Sequence, residues 1–317
     1  MKLAATLIAC ILSTSAVAAD LACSSIRFVV PFPPGGPTDV GTRLVGDAVA
    51  SKLGKTVVVE NKAGASGIVG TEYVLGSKKD GCTILANSTS MAMFPDLFSK
   101  LKFDPFKDLV VLGAIGVTPT FVVTANKSIG DLKDLLQWSR RKEGGLSYGI
   151  PGVGVNAHLA MEEIQAKTGA KLQHVPYRGA SGASSDLISG RIDFGAFASA
   201  GAILQLVKQG QIKAVSVIQP KRSLLVPDIE TTAEQGLADL DASVPFLFFV
   251  PNGTPDDVVA QLGVELNEAA ARSDVSAKLP QLGFEPLRIG PAEGAVLMRN
   301  TADQWSPVIK RLGLKLN

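Results

Sequence analysis

After the first twenty positions the chain alternates between short apolar runs and longer stretches with helical spacing. Residues 26–31 form a short apolar run, followed by the turn-rich Pro33-Pro34-Gly35-Gly36-Pro37. From 38 to 53 the apolar residues Val40, Leu44, Val45, Ala48 and Val49 fall on one side of a helix, with Thr38 or Asp39 placed to cap it. A second strand is expected at 56–60. Gly64-Ala65-Ser66-Gly67 then opens a helix running to 75, and a third strand at 83–86 ends in Asn87-Ser88-Thr89-Ser90. The alternation resumes with strands at 120–124, 146–149, 173–176, 192–196 and 212–217, and helices at 130–142, 154–168, 179–189 and 200–209. A strong apolar run at 246–250 precedes helices near 255–271, 274–281 and 291–311. Short strands linked by helices predict doubly wound α/β sheets with parallel strands.

The N-terminus follows a different rule. Met1-Lys2 gives a positive start, 3–12 is apolar, and 13–19 is rich in small residues. Ala16-Val17-Ala18 and Val17-Ala18-Ala19 both fit a small-x-small cleavage site before Asp20. The segment 1–19 therefore reads as a secretory signal peptide, too short in its apolar part to span a bilayer. Cys10 leaves with it. Export puts Cys23 and Cys82 in an oxidising compartment, where they can pair if the strands that follow them are neighbours; two unpaired residues are the alternative.

Charge narrows the partner. The 317 residues carry 31 basic and 29 acidic side chains, a formal +2, without the basic surplus that nucleic acid demands. Glycine contributes 32 residues, whereas there are only two His and three Cys, which disfavours a zinc cluster or a disulfide scaffold. Glycines cluster in three turns, at 33–39, 64–67 and 151–158, each leading from a strand toward a helix. Such turns let backbone N–H groups approach an anion, and the helix start adds positive potential. In open α/β sheets, ligands sit at these carboxyl ends of strands.

Enzyme signatures are weak. Neither Gly64-Ala65-Ser66-Gly67-Ile68 nor Gly179-Ala180-Ser181-Gly182-Ala183 completes a nucleophile elbow, and no phosphate-loop lysine motif is present. Gly152-Val153-Gly154 begins a dinucleotide-like pattern, but Ala157 occupies its third glycine position. His158 and Glu162 share a helix face and could supply two metal ligands, yet no HExxH accompanies them. No metal and no cofactor are expected.

Several blocks, in order, resemble the receptors of tripartite tricarboxylate transporters, also called Bug proteins. The first is Ile26-Arg27-Phe28-Val29-Val30-Pro31-Phe32-Pro33-Pro34-Gly35-Gly36-Pro37-Thr38-Asp39. The next are Val59-Glu60-Asn61-Lys62-Ala63-Gly64-Ala65-Ser66-Gly67 and Asp80-Gly81-Cys82-Thr83-Ile84-Leu85. His174-Val175-Pro176-Tyr177-Arg178-Gly179, the segment 227–236 and Pro251-Asn252-Gly253-Thr254-Pro255 complete the series. Two features depart from the family's pattern. Cys82 replaces a usual Tyr, and Ser243-Val244-Pro245-Phe246 stands where a Trp is common.

The resemblance implies a periplasmic solute receptor of the type II binding-protein architecture: two α/β domains joined by two crossing strands and closing like a hinged trap. The crossings would fall near 120–123 and 246–250, giving a first domain of 20–121 plus 247–317 and a second of 122–246. The implied ligand is a small carboxylate (a di- or tricarboxylate, an acidic amino acid or an aromatic acid), and the implied partners are membrane transporter subunits, with the receptor itself a monomer. Carried over by position, the first-domain cradle would be Phe32, Gly35, Gly36, Thr38 and Asp39, with Ala65, Ser66, Ser88 and Thr89. The second domain would offer Gly152, Val153, Gly154, His158 and Tyr177. Each has a simpler reading: Asp39 as a helix cap, Tyr177 as a satisfied core ring. A secreted hydrolase using Ser66 or His158 and a sensor for a membrane kinase are the competing functions.

Overall fold

The computed structural model describes residues 21, 23–177, 179–199 and 201–316, so the signal segment, its cleavage site and Arg178 lie outside the described residues. The strands are β1 (Ser25–Val30), β2 (Thr56–Asn61), β3 (Thr83–Ser88), β4 (Leu109–Thr118), β5 (Thr120–Thr124), β6 (Leu146–Ile150), β7 (Leu172–Pro176), β8 (Phe194–Ala198), β9 (Lys213–Val217) and β10 (Val244–Pro251). The helices are α1 (Pro37–Leu53), α2 (Ile68–Leu75), α3 (Phe94–Leu97), α4 (Leu132–Arg141), α5 (Asn156–Thr168), α6 (Ala180–Ile188), α7 (Ala202–Lys208), α8 (Asp256–Ala271), α9 (Ser273–Ser276) and α10 (Pro291–Leu312). Among the described residues no helix is long and apolar enough to cross a membrane.

The strands form two five-stranded sheets, ordered β2-β1-β3-β10-β4 and β7-β6-β8-β5-β9. Half of the neighbouring pairs are parallel, β1 with β2 and β3 and β6 with β7 and β8, as the strand–helix alternation predicts. Each sheet also takes in one antiparallel strand: β10 between β3 and β4, and β5 between β8 and β9. These are the strands that follow the passages between the sheets, and their reversed direction makes both sheets mixed. The chain leaves the first sheet at Thr118, turns at Pro119 and enters the second at Thr120. It returns between β9 and β10. Thr120 and Phe121 thus belong to the second sheet, and Val244 to Phe246 to the first.

The strand β4 was not among those expected. Its sequence is apolar at nearly every position and contains Gly113 and Gly116, so no alternation marks it. A strand covered on both faces loses that period. Leu112 and Ile115 pack with Phe28 and Phe248 on one face of the sheet, and Val111 and Ala114 pack with Val29 and Leu247 on the other. The second sheet is likewise sandwiched, with Tyr148 and Phe194 on one face and Phe121 and Phe197 on the other.

Cys23 and Cys82 are joined in a disulfide, their Cα atoms 5.5 Å apart. The condition on neighbouring strands is met, because β1 and β3 pair directly, Arg27 opposite Thr83. The helix α10 belongs to neither sheet alone. Met298 joins a core cluster of the first half, whereas Trp305, Val308 and Ile309 pack into the cluster that holds Leu146 and Tyr148 of the second.

Candidate functional site

The loops at the strand ends meet around one cavity of about 1590 Å³. Of the residues singled out from the sequence, Phe32, Gly35, Gly36, Thr38, Ala65, Ser66, Ser88, Gly152, Val153 and Gly154 line it. Asp39, Thr89, His158 and Tyr177 do not. The lining comes from both halves, and its charged side chains among the described residues are Lys100 and Lys315, with no Asp or Glu.

The first loop is set by β1, which ends at Val30, and by α1, whose N-cap is Gly36 with Pro37 as the first helical residue. Neither Thr38 nor Asp39 caps the helix, because proline at the first position fixes the entry and Gly36 supplies the extended backbone. Asp39 sits inside the first turn, buried, and accepts from the Gly35 amide at 2.9 Å and from Asn61 Nδ2 at 2.9 Å. Arg43 Nη2 lies 2.9 Å from its carboxylate. Asn61 also donates to the Phe32 carbonyl at 3.1 Å. Burial alone would raise the Asp39 carboxyl, but the hydrogen bonds from Arg43, Gly35 and Asn61 outweigh it and hold the group below its ordinary value. It braces the loop from behind, and its charge stays ionised and matched there. Asn61 was missed from the sequence because its partners come from a different strand–loop junction.

The second loop carries backbone strain. Ala65 and Ser66 have φ of +46° and +55°, between Gly64 at +151° and Gly67 at +100°. Two successive L-residues in the left-handed region cost about 1–2 kcal/mol each. Such outliers cluster at ligand clamps, and successive N–H groups in this conformation form an anion-binding concavity. Gly67 leads into α2, and a Cβ at Gly70 of that helix would come within 2.7 Å of Pro31 Cβ, so α2 packs closely on the end of β1.

The third loop joins β6 to α5. No described residue accepts from the amides of Gly152 and Val153, whereas the Gly154 amide donates to Nδ1 of His158 at 3.1 Å. His158 is buried. Its Nε2 lies 3.6 Å from Glu162 Oε1, which also accepts from the Tyr148 hydroxyl at 2.9 Å and lies 3.5 Å from His174 Nδ1. Burial, with the neighbouring His174, pushes the His158 imidazole down to about 4 despite Glu162, so it is neutral near pH 7. Burial and the Glu162 carboxylate raise the Tyr148 phenol.

The carboxylate and two imidazoles are close enough to suggest a metal cluster. The tautomer argues otherwise. With Nδ1 accepting from a backbone amide, a neutral His158 ring carries its proton on Nε2 and offers Glu162 a donor, not a lone pair. Tyr177 is engaged elsewhere: its hydroxyl donates to Asp186 at 2.7 Å, and burial together with that bond pushes it up to about 12.

Further lining was not legible in the sequence. Leu97, Phe98 and Lys100 come from α3 and the segment after it, and Lys315 and Leu316 from the far end of the chain. The Leu316 amide donates to the Leu97 carbonyl at 2.7 Å, bringing these distant segments together. Only the folded topology supplies that pairing.

A family model described as the tripartite tricarboxylate transporter family receptor matches residues 42–314. Protein BugT of Bordetella pertussis is 30% identical over 313 residues, covering 96% of each chain. Among solved structures, Rhodopseudomonas palustris Rpa4515 with adipate superposes with a TM-score of 0.81 at 26% identity, covering 92% of this chain and 98% of that one. MatC of the same organism with bound malate gives 0.76 at 26% identity, covering 90% and 98%. The fold agrees with these solved structures, and the chain belongs to the tripartite tricarboxylate transporter receptor family.

Proposed function

We propose that this receptor captures a small carboxylate in the cavity between its two halves and delivers it to the membrane subunits of a tripartite tricarboxylate-type transporter. The family is one of solute receptors and not of enzymes. The observation that carries the ligand class is the lining: glycine-rich loops and the starts of α1, α2 and α5, with two lysines and no carboxylate among the described residues. Helix N-termini and unpaired amides favour negative charge, and the relatives with malate and adipate point the same way.

In this reading the ligand is held by Phe32, Gly35, Gly36, Thr38, Ala65, Ser66 and Ser88 from one side and by Gly152, Val153 and Gly154 from the other. Asp39 and His158 act behind the loops as positioning residues. The domains follow the expected 20–121 with 247–317 and 122–246, moved at the passages so that Thr120 and Phe121 go with the second and Val244 to Phe246 with the first. The mature receptor begins near Asp20 in the periplasm and works as a monomer.

Thermal unfolding with a panel of organic acids tests the reading. A ligand at a hundred times its dissociation constant stabilises by about 2.7 kcal/mol, which raises the midpoint by roughly 5–10 °C. At least one small carboxylate should do so. If uncharged amides of the same acids shift the midpoint equally, or no acid shifts it, the carboxylate reading fails.

A further inference from the structure

The two sheets are ordered alike. In each, the strand next to the passages (β10 in the first, β5 in the second) has one outer strand beyond it, β4 or β9. The cavity belongs to the other side. Its lining comes from the ends of β1, β3 and β6 and from the turns leading into helices on both faces of the sheets: α1 and α2 in one half, α5 and α6 in the other. On the β4 and β9 side a short segment of the first half, 283–285, reaches the second. It is anchored where it starts. Phe284 is buried with its ring 5.4 Å from that of Phe246, and Glu285 exchanges both backbone hydrogen bonds with Val117 of β4, at 2.7 and 3.0 Å. The Glu285 side chain extends to the loop after β9. Its Oε1 accepts from Ser223 Oγ at 2.5 Å and from the Leu224 amide at 2.7 Å. Ser223 is buried, and its hydroxyl in turn accepts from the Leu225 amide at 3.1 Å, so the loop is fastened through it. From beside the passage, Ser199 Oγ donates to the Gly283 carbonyl at 2.6 Å.

We infer that Glu285 is a latch for the open receptor: its hydrogen bonds to Ser223 and Leu224 hold the halves apart at the cavity and must break before the cavity can close. A rotation about the passages that brings β2 and β7 together carries β4 and β9 apart. The contact is therefore made in one state and lost in the other. Its free energy opposes that of the ligand, so Glu285 sets the affinity without touching the ligand. A carboxylate accepting two hydrogen bonds is among the stronger polar contacts, and with partial access to water it should weaken capture about tenfold. This rests on the reading that the halves close around a solute, and adds what resists the closure.

Distances between two labels on the mature protein test the latch. Val58→Cys on β2 and Gln173→Cys on β7 put labels on exposed sites of the outer strands on the cavity side, and Cys23 and Cys82 are held in their disulfide. Without any ligand, Glu285→Ala should shift the distribution toward shorter distances, and Ser223→Ala should do the same. The two substitutions together should add little to either alone, because they remove one contact. Glu285→Gln, which keeps an acceptor in place, should fall between native and Glu285→Ala. Malate and adipate serve as ligand probes in calorimetric titration. An acid that binds the native receptor should bind Glu285→Ala about tenfold more tightly, a gain that mere loss of packing would not give. Longer distances or weaker binding in Glu285→Ala would make the contact a clasp of the closed form and overturn the inference. Unchanged distances and affinity overturn it as well. Binding of neither acid to native or variant protein speaks against the carboxylate reading, and the distances in the ligand-free protein still decide the latch.

Discussion

The two halves present loops to one cavity but brace them by different chemistry. In the first half, Asp39 holds its loop through a permanent charge pair with Arg43 and hydrogen bonds from Gly35 and Asn61. In the second, a neutral buried imidazole receives the Gly154 amide. The first half also carries the disulfide and two successive left-handed residues, Ala65 and Ser66, where the second half has the single left-handed Asp239 away from its cavity loop. Similar sheets do not oblige similar bracing. The first brace is indifferent to pH across the neutral and mildly acid range, and the second is held by a group whose protonation abolishes its acceptor.

The largest test of this contrast removes the cross-link. The disulfide closes a separation of 59 residues, worth about 4 kcal/mol in the chain-entropy model. Reduction, or Cys23→Ser with Cys82→Ser, should lower the melting midpoint. Hydrogen exchange should speed up in β1 and β3 before β6 and β8. Equal loosening of both sheets would mean that the halves are stabilised as one unit.

Acid comes next. The folded His158 titrates near 4, below its ordinary 6.5, so between those values the unfolded chain binds the extra proton. Its contribution is complete above pH 6.5 and is lost as pH falls toward 4, a change of about 3 kcal/mol at most. Asp39 is depressed in the folded state, so its contribution persists to below 3.8 and disappears only as pH falls through its folded value. Denaturant unfolding from pH 7 to 4 should therefore show a loss that His158→Gln largely removes and Asp39→Asn does not. An unchanged slope in His158→Gln would assign the acid sensitivity to another group.

The smallest effect concerns strain. Ser66→Gly should relieve its left-handed backbone and stabilise the unliganded protein by about 1 kcal/mol while weakening ligand binding. Gly154→Ala should do the reverse to stability, since its φ of +80° resists a side chain. Differential scanning calorimetry resolves both.

Much of this was readable in one dimension. The alternation of runs located nine of the ten strands, and the glycine turns located the loops, because turn chemistry and hydrophobic period are local properties. The strand β4 escaped because burial on both faces erases its period. Asp39 and His158 were readable as important but not as hidden, since which side of a loop a side chain takes depends on Asn61 and His174 across the fold. The pairing of Leu97 and Phe98 with Leu316 had no signal at all, because these residues are far apart along the chain.

The passages between the sheets carry one more consequence. Thr118 donates to the Val244 carbonyl at 3.3 Å and Thr120 to the Ala242 carbonyl at 2.6 Å, on either side of Pro119. Two crossings sewn together in this way form a single seam. Relative rotation of the halves has to be absorbed by the few torsions of 118–120 and 242–244, and the proline ring removes one of them. The seam thus acts as an axle with little play, and α10, seated on both halves, confines the swing from a second direction.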